Sequence, residues 1–175
     1  MADGARRRSA RSRSTSPTTA KRVFHKYAHA DVELHREIVD AVYANVKNTS
    51  KAVDQVAMIF ATLRAAARGE LPTGDDLKDE LEPCQTQPTL WELKWKRKQK
   101  AVVEFRMYHA EPDEGRPDFV GLHFHAKVTS GTDAQIESAQ DGAMQIAADR
   151  YECEEAVQAR WGHAPDGCPR CVLNV

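Results

Sequence analysis

Long apolar runs are missing from this sequence of 175 residues. No stretch of about eighteen apolar residues is present, so no membrane-spanning helix is expected. The arginine-rich N-terminus has no apolar segment behind it, which argues against a secretory signal and makes a cytoplasmic protein the default. Cysteine is scarce: the four thiols are Cys84, Cys153, Cys168 and Cys171. In a reducing compartment they read as free thiols or metal ligands before they read as disulfides. No internal repeat is visible, and a chain of this length accommodates one domain with a proper core rather than two.

The formal net charge of −1 hides an uneven distribution. Residues 1–26 carry Arg6, Arg7, Arg8, Arg11, Arg13, Lys21, Arg22 and Lys26 against Asp3, which makes that segment +7 and the remainder −8. A basic, Ser/Thr-rich segment without apolar periodicity cannot bury enough surface to offset its ordering entropy, so residues 1–20 are expected to be a disordered basic tail. Its plain reading is a solvated tail, and its functional one an arm that seeks polyanions. Residues 21–160 are expected to fold as one domain, and residues 161–175 to form a cysteine-containing tail.

Residues 22–28, RVFHKYA, make a short candidate strand. Residues 30–48 carry Val32, Leu34, Ile38, Val39, Val42, Tyr43 and Val46 at spacings of three and four, an amphipathic helix. Ser50 can cap a second helix over residues 51–68, with Val53, Val56, Ala57, Phe60, Leu63 and Ala67 as the buried stripe and Gly69 and Pro72 as its end. The short link between them predicts an antiparallel helical hairpin. A polar connection follows, with one or two helical turns over residues 75–81. Thr132 and Gln135 then form a capping box for a third helix reaching to about Arg160. On it Ile136, Ala139, Ala143, Ile146, Ala147, Arg150 and Tyr151 line one side, and Ala139, Gly142 and Ala143 are small enough for close packing on a sheet.

Between the helices lie three alternating stretches. Residues 90–96 put Trp91, Leu93 and Trp95 opposite Glu92, Lys94 and Lys96, and residues 103–109 put Phe105 and Met107 opposite Glu104, Arg106 and Tyr108. Residues 119–129 put Val120, Leu122, Phe124, Ala126 and Val128 opposite Phe119, Gly121, His123, His125 and Lys127. One face reads as core and the other as a polar working surface, its side chains repeating about every 6.5–7 Å along each strand. The turn at Lys96, Arg97, Lys98 and Lys100 reads as a solvated basic hairpin tip or as an anion-binding edge. The fold class is therefore α+β: an N-terminal helical hairpin on a small antiparallel sheet of three to four strands, with a C-terminal helix.

The order helix, helix, LKDELEP, LWELKW, EFRMYH, VGLHFHAKVTSG and a final alanine-rich helix resembles the RelE/HigB-type toxins, particularly the phage-derived HigB-like branch. The resemblance covers roughly residues 75–154. It implies a metal-independent endoribonuclease that cuts messenger RNA, usually on the ribosome, and is held silent by a small antitoxin protein. Such a site needs a base for the ribose 2′-hydroxyl, an acid for the departing 5′-oxygen, and fixed cations around the phosphorane. By position, the resemblance implies Arg106 and Lys127 for phosphate charge, His123 for proton transfer and Lys94 in place of the family's arginine; His125, on the same face as His123, could serve as acid or base, Tyr151 could approach from the last helix, and the basic tip at Lys96, Arg97, Lys98 and Lys100 would join Lys94 in contacting RNA. The chain departs from the family in placing Val128 after Lys127 and in its acidic body. An alternative reading is a non-catalytic nucleic-acid- or protein-binding module of a phage or mobile element that retains the toxin fold.

Each candidate has a plain structural reading as well. Arg106 could pair with Glu92 or Glu104, the histidines could bond Glu104 or Tyr108 across the strands, Lys127 could be a solvated charge at a strand end, and Trp91 and Trp95 read as core. No cofactor is called for. Cys153, His163, Cys168 and Cys171 have the count and ligand types for tetrahedral zinc but no familiar spacing, and a redox pair or a plain flexible tail are the other readings of CPRC.

Overall fold

The computed structural model describes residues 12–15, 24–29, 32–72, 81–95, 103–112 and 119–153. The rest of the basic tail, the helical turns expected just before Leu81, Lys96, Arg97, Lys98 and Lys100 of the hairpin tip, and His163, Cys168 and Cys171 lie outside the described residues.

Strand β1 (Phe24–Lys26) is followed by a two-residue-per-strand hairpin, β2 (Ala28–His29) and β3 (Val32–Glu33), that turns the chain into α1 (Leu34–Asn45). α1 buries Leu34, Ile38 and Val42, one residue per turn of a single stripe. The next helix, α2 (Thr49–Arg68), is capped by Asn48, whose side chain accepts from the Lys51 N–H at 3.0 Å. Ser50 therefore lies inside the first turn rather than before it. Gly69 ends α2 in the left-handed region at φ 73°, where a side chain would be strained. The buried stripe of α2 is Ala52, Gln55, Ile59, Leu63, Ala66 and Ala67, rotated from the expected one, and Val53 is 51% exposed. Leu63 and Ala67 of the expected stripe are buried, and Val56 and Phe60 pack half-buried against the core.

The main sheet has five strands in the order β1-β7-β6-β5-β4, with β4 (Leu81–Pro83), β5 (Leu90–Trp95), β6 (Phe105–Ala110) and β7 (Phe119–Ala126). β4 to β7 pair antiparallel, while β1 pairs parallel to β7 through Phe24↔Phe119, His25↔Val120 and Lys26↔Gly121. The sheet is thus mixed, because the whole helical hairpin serves as part of the crossover from β1. Leu93, Met107 and Phe124 share a cross-strand row on the face under α1 and α2; the Trp95 indole N–H on the same face reaches Thr62 Oγ1 of α2 at 3.3 Å. Gly121 is required here: a Cβ would stand 2.6 Å from Leu34 Cδ2 of α1 and 3.2 Å from the Phe24 ring.

The third helix, α3 (Asp133–Glu152), starts in the expected capping box of Thr132 and Gln135 and packs on β7 and β6. Its buried residues are Ala143, Met144, Ala147 and Ala148, whereas Ala139 and Gly142 are exposed and Ile146 is 42% exposed. Of the small residues expected to pack closely, only Ala143 does so.

Two features were not visible in the sequence pattern. Past Gly121, where β1 ends, the open edge of β7 is filled by side chains: Glu37 accepts from the Phe124 N–H at 3.3 Å, and Arg150 donates to the Leu122 carbonyl at 2.7 Å and to Glu37 at 2.6 Å. Also, Ser12–Thr15, within the segment expected to be a solvated tail, is docked against the body, with a 3-10 turn at Arg13–Thr15 and with Ser12 and Ser14 buried.

Candidate functional site

The pairing register assembles the polar face row by row. Lys94, Arg106 and His125 lie opposite one another across β5, β6 and β7, and Glu92, Tyr108 and His123 form the adjacent row. Lys127, just beyond β7, pairs with Glu104 at 3.3 Å. A bulge follows, since Tyr108 faces His123 whereas His109 faces Gly121, leaving Leu122 as the extra residue. Thus four of the five residues expected at the catalytic centre, together with Lys94, are brought onto one sheet face. Tyr151, near the end of α3, packs half-buried against the core.

This face is less open than its alternation suggested, because α3 lies over it. Arg106 is 6% exposed and Glu92 5%. Arg106 Nη1 donates to Glu92 Oε1 at 2.5 Å, while Lys94 Nζ meets Glu82 at 2.5 Å and Glu92 at 3.4 Å. Two cations therefore converge on one carboxylate. Between these strands and α3 lies a cleft of about 530 Å³, lined by Glu82, Glu92, Lys94, Arg106 and Tyr108 from the sheet side and by Asp133, Glu137, Asp141 and Met144 from α3. Five carboxylates surround two cations, and among the described residues the three acids on α3 have no ion-pair partner.

The histidines differ from each other. His123 Nδ1 is 3.2 Å from Glu37 Oε2, and its ring stacks on that of His125 with centroids 5.5 Å apart. His125 Nδ1 is 3.1 Å from the Ala126 carbonyl, which can only accept, so the proton sits on Nδ1 and Nε2 carries the lone pair. Neither ring bonds Glu104 or Tyr108, although His125 stacks on the Tyr108 ring at 5.7 Å. Burial, reinforced by the neighbouring His123, lowers the His125 pKa to about 4, so this imidazole is neutral at physiological pH. Burial and the nearby Glu92 push the Tyr108 phenol up, and burial pushes the Cys84 thiol up to about 12, which leaves that cleft-lining cysteine unreactive. Glu37 shows the opposite balance: burial alone would raise it, yet hydrogen bonds from His123 and Arg150 hold it at about 2.

Local spacing could not reveal Glu37 and Arg150, because their partnership spans 113 residues. Glu92 did carry a signal, a carboxylate in the middle of an alternating strand. Trp95 is core as expected, and Trp91 is half-buried against it. Cys153 is a free, half-buried thiol at the end of α3, and no metal-ligating cluster of three or more His, Cys, Asp or Glu exists among the described residues. No helix among the described residues is long and apolar enough to cross a membrane. No protein family, curated protein or solved structure matches the chain.

Proposed function

We propose that the polar sheet face is the site of a metal-independent endoribonuclease of the RelE/HigB type, acting on messenger RNA in the cytoplasm, on the ribosome, and restrained by a small antitoxin protein. The observation that carries this reading is the register, which sets Lys94, Arg106 and His125 in one cross-strand row beside Tyr108 and His123. The order of two helices, the antiparallel strands and a final helix also supports it. In the reaction the ribose 2′-oxygen attacks the adjacent phosphorus, the bond to the 5′-oxygen breaks, and the products are a 2′,3′-cyclic phosphate and a free 5′-hydroxyl. The neutral His125, whose Nε2 lone pair is buried without a hydrogen-bond partner, accepts the 2′-hydroxyl proton once RNA reaches it. His123, oriented by Glu37, supplies the proton to the leaving oxygen. Arg106 and Lys94, which converge on Glu92, set positive charge beside the equatorial oxygens of the phosphorane, and Lys127 adds charge from the strand end.

Induced expression tests this directly, with growth and mapped RNA 5′ ends read together. Wild-type chain is expected to arrest growth and create new 5′ ends, and a His125→Asn, Lys127→Ala double variant to do neither while remaining folded. Absence of arrest and of new ends from folded wild-type protein would sink the proposal.

The acidity of the cleft favours a second reading, a non-catalytic binding module of a phage or mobile element on the same fold. Its two cations are already matched by Glu82 and Glu92, so nucleic acid would be held by the basic residues from Arg6 to Arg13 and from Lys96 to Lys100. Affinity would then fall steeply with salt and with deletion of residues 6–13.

A further inference from the structure

The docking of Ser12–Thr15 rests on one carboxylate. Glu111, whose side chain is 6% exposed, accepts from Ser12 Oγ, the Arg13 N–H and Ser14 Oγ, each at 2.6 Å, and from the Ser14 N–H at 3.2 Å. His109 Nε2 stands 3.4 Å away on the other side. Around this clamp the Arg13 guanidinium donates to the Pro112 carbonyl at 2.6 Å, and the Ser14 carbonyl accepts from the Leu71 N–H at 3.0 Å, just past α2. The segment Ser-Arg-Ser-Thr has no large apolar side chain to anchor it, so hydrogen bonds hold it in place, four of them to the single anion of Glu111. Burial alone would raise the Glu111 pKa, but His109, Ser12 and Ser14 keep it at about 2 and therefore ionised. The Arg13 Nε stands 4.0 Å from the same carboxylate, so a second negative charge delivered to this point would share one guanidinium with an ionised Glu111.

The surrounding sequence invites such a charge. Arg6, Arg7, Arg8 and Arg11 all precede Ser12, and Arg13 stands between the two serines, so an enzyme with an acidic peptide groove would bind this stretch and present Ser12 or Ser14 to its nucleotide. We propose that Ser14, with Ser12 as the neighbouring alternative, is a phosphorylation site whose modification expels residues 12–15 from the Glu111 clamp. The serine oxygen attacks the γ-phosphorus of a nucleoside triphosphate, the bond from that phosphorus to its bridging oxygen breaks, the nucleoside diphosphate leaves, and the hydroxyl proton passes to the base of the modifying enzyme. Ser14 is fully buried while docked, so it is modified during local opening, and the phosphate then blocks closure. A phosphoserine carries roughly −1.5 to −2 at neutral pH. Placed where a hydroxyl now sits against a buried carboxylate, it replaces a hydrogen bond with like-charge repulsion. The released segment carries Arg13 away from Pro112 and from Glu111.

Full-length chain is treated with ATP and an arginine-directed Ser/Thr protein kinase, the phosphate is located by mass spectrometry, and hydrogen exchange is followed at the Leu71 amide. Phosphate on Ser14 or Ser12 with Leu71 exchanging about tenfold faster or more, and with the Met107 amide in the sheet unchanged, is the expected result. Phosphate on neither serine, or on Ser14 with Leu71 still protected, overturns the proposal. Ser14→Asp and Ser14→Asn separate charge from shape: the first is expected to deprotect Leu71 and the second to leave it protected, and equal behaviour of the two would also overturn it. Adding Glu111→Gln to Ser14→Asp is expected to restore part of the protection, and no restoration would count against repulsion as the cause.

Discussion

Arg106 has two duties in this molecule, one in the fold and one in the proposed chemistry, and removing it disturbs both. Its partner Glu92 is 5% exposed, so Arg106→Ala leaves a buried carboxylate with Lys94 as its one cationic partner among the described residues. Breaking a buried pair from one side typically costs about 3–5 kcal/mol, whereas replacing both members with apolar groups of similar volume is near neutral. Arg106→Ala is accordingly expected to lower the midpoint of urea unfolding sharply, and Arg106→Met with Glu92→Met to recover most of it. If the single and double variants unfold at the same urea concentration, the pair does not act as described. The double variant is also the better probe of function, because loss of RNA cleavage in a stable protein cannot be put down to unfolding.

At the scale of elements, the Glu37–Arg150 pair stands in for a missing strand. β1 covers β7 only as far as Gly121, and the two side chains satisfy the next edge groups, the Leu122 carbonyl and the Phe124 N–H. Unpaired edge groups on a hydrophobic strand recruit other chains. Glu37→Ala with Arg150→Ala is therefore expected to destabilise the fold by about 1–3 kcal/mol and to produce concentration-dependent association in light scattering. A variant that stays monodisperse at all concentrations would show that other groups guard this edge. The same pair marks where sequence reading stops. β5, β6, β7 and the start of α3 were legible because a period of two, or a capping box, is written in adjacent residues. The parallel place of β1, the docked Ser12–Thr15 segment and the edge-filling pair were not, since each depends on partners about a hundred residues away. For the candidate site, alternation identified which side chains share a face, but not that α3 lies over it or that Glu92 draws Lys94 and Arg106 together.

For the whole molecule, the titrating groups predict acid unfolding in two stages. His125 has a folded pKa of about 4 against an ordinary value of 6.5, so between these values the unfolded chain binds the proton more readily. Stability from this source is complete above pH 6.5 and is lost as the pH falls towards 4. Glu37 and Glu111, each held at about 2 against 4.5, contribute stability above pH 4.5 that is lost between there and pH 2. Urea midpoints measured across this range are expected to fall in both windows, and His125→Gln to flatten only the upper one. A wild-type curve flat between pH 6.5 and 4 would contradict the burial of His125.

The parallel seam between β1 and β7 also sets an order of events. Phe24 has no strand partner until Phe119 exists, and Ser12 has no anchor until Glu111 does, a separation of 99 residues for the second pair. Contacts between distant parts of a chain form slowly, because the loop between them must be closed before any contact rewards it. On a translating ribosome the helical hairpin therefore emerges before the strands that complete its sheet. The polar row is assembled only once β7 has been made, so a nascent chain carries its arginine-rich arm for most of synthesis without the surface proposed to cut RNA.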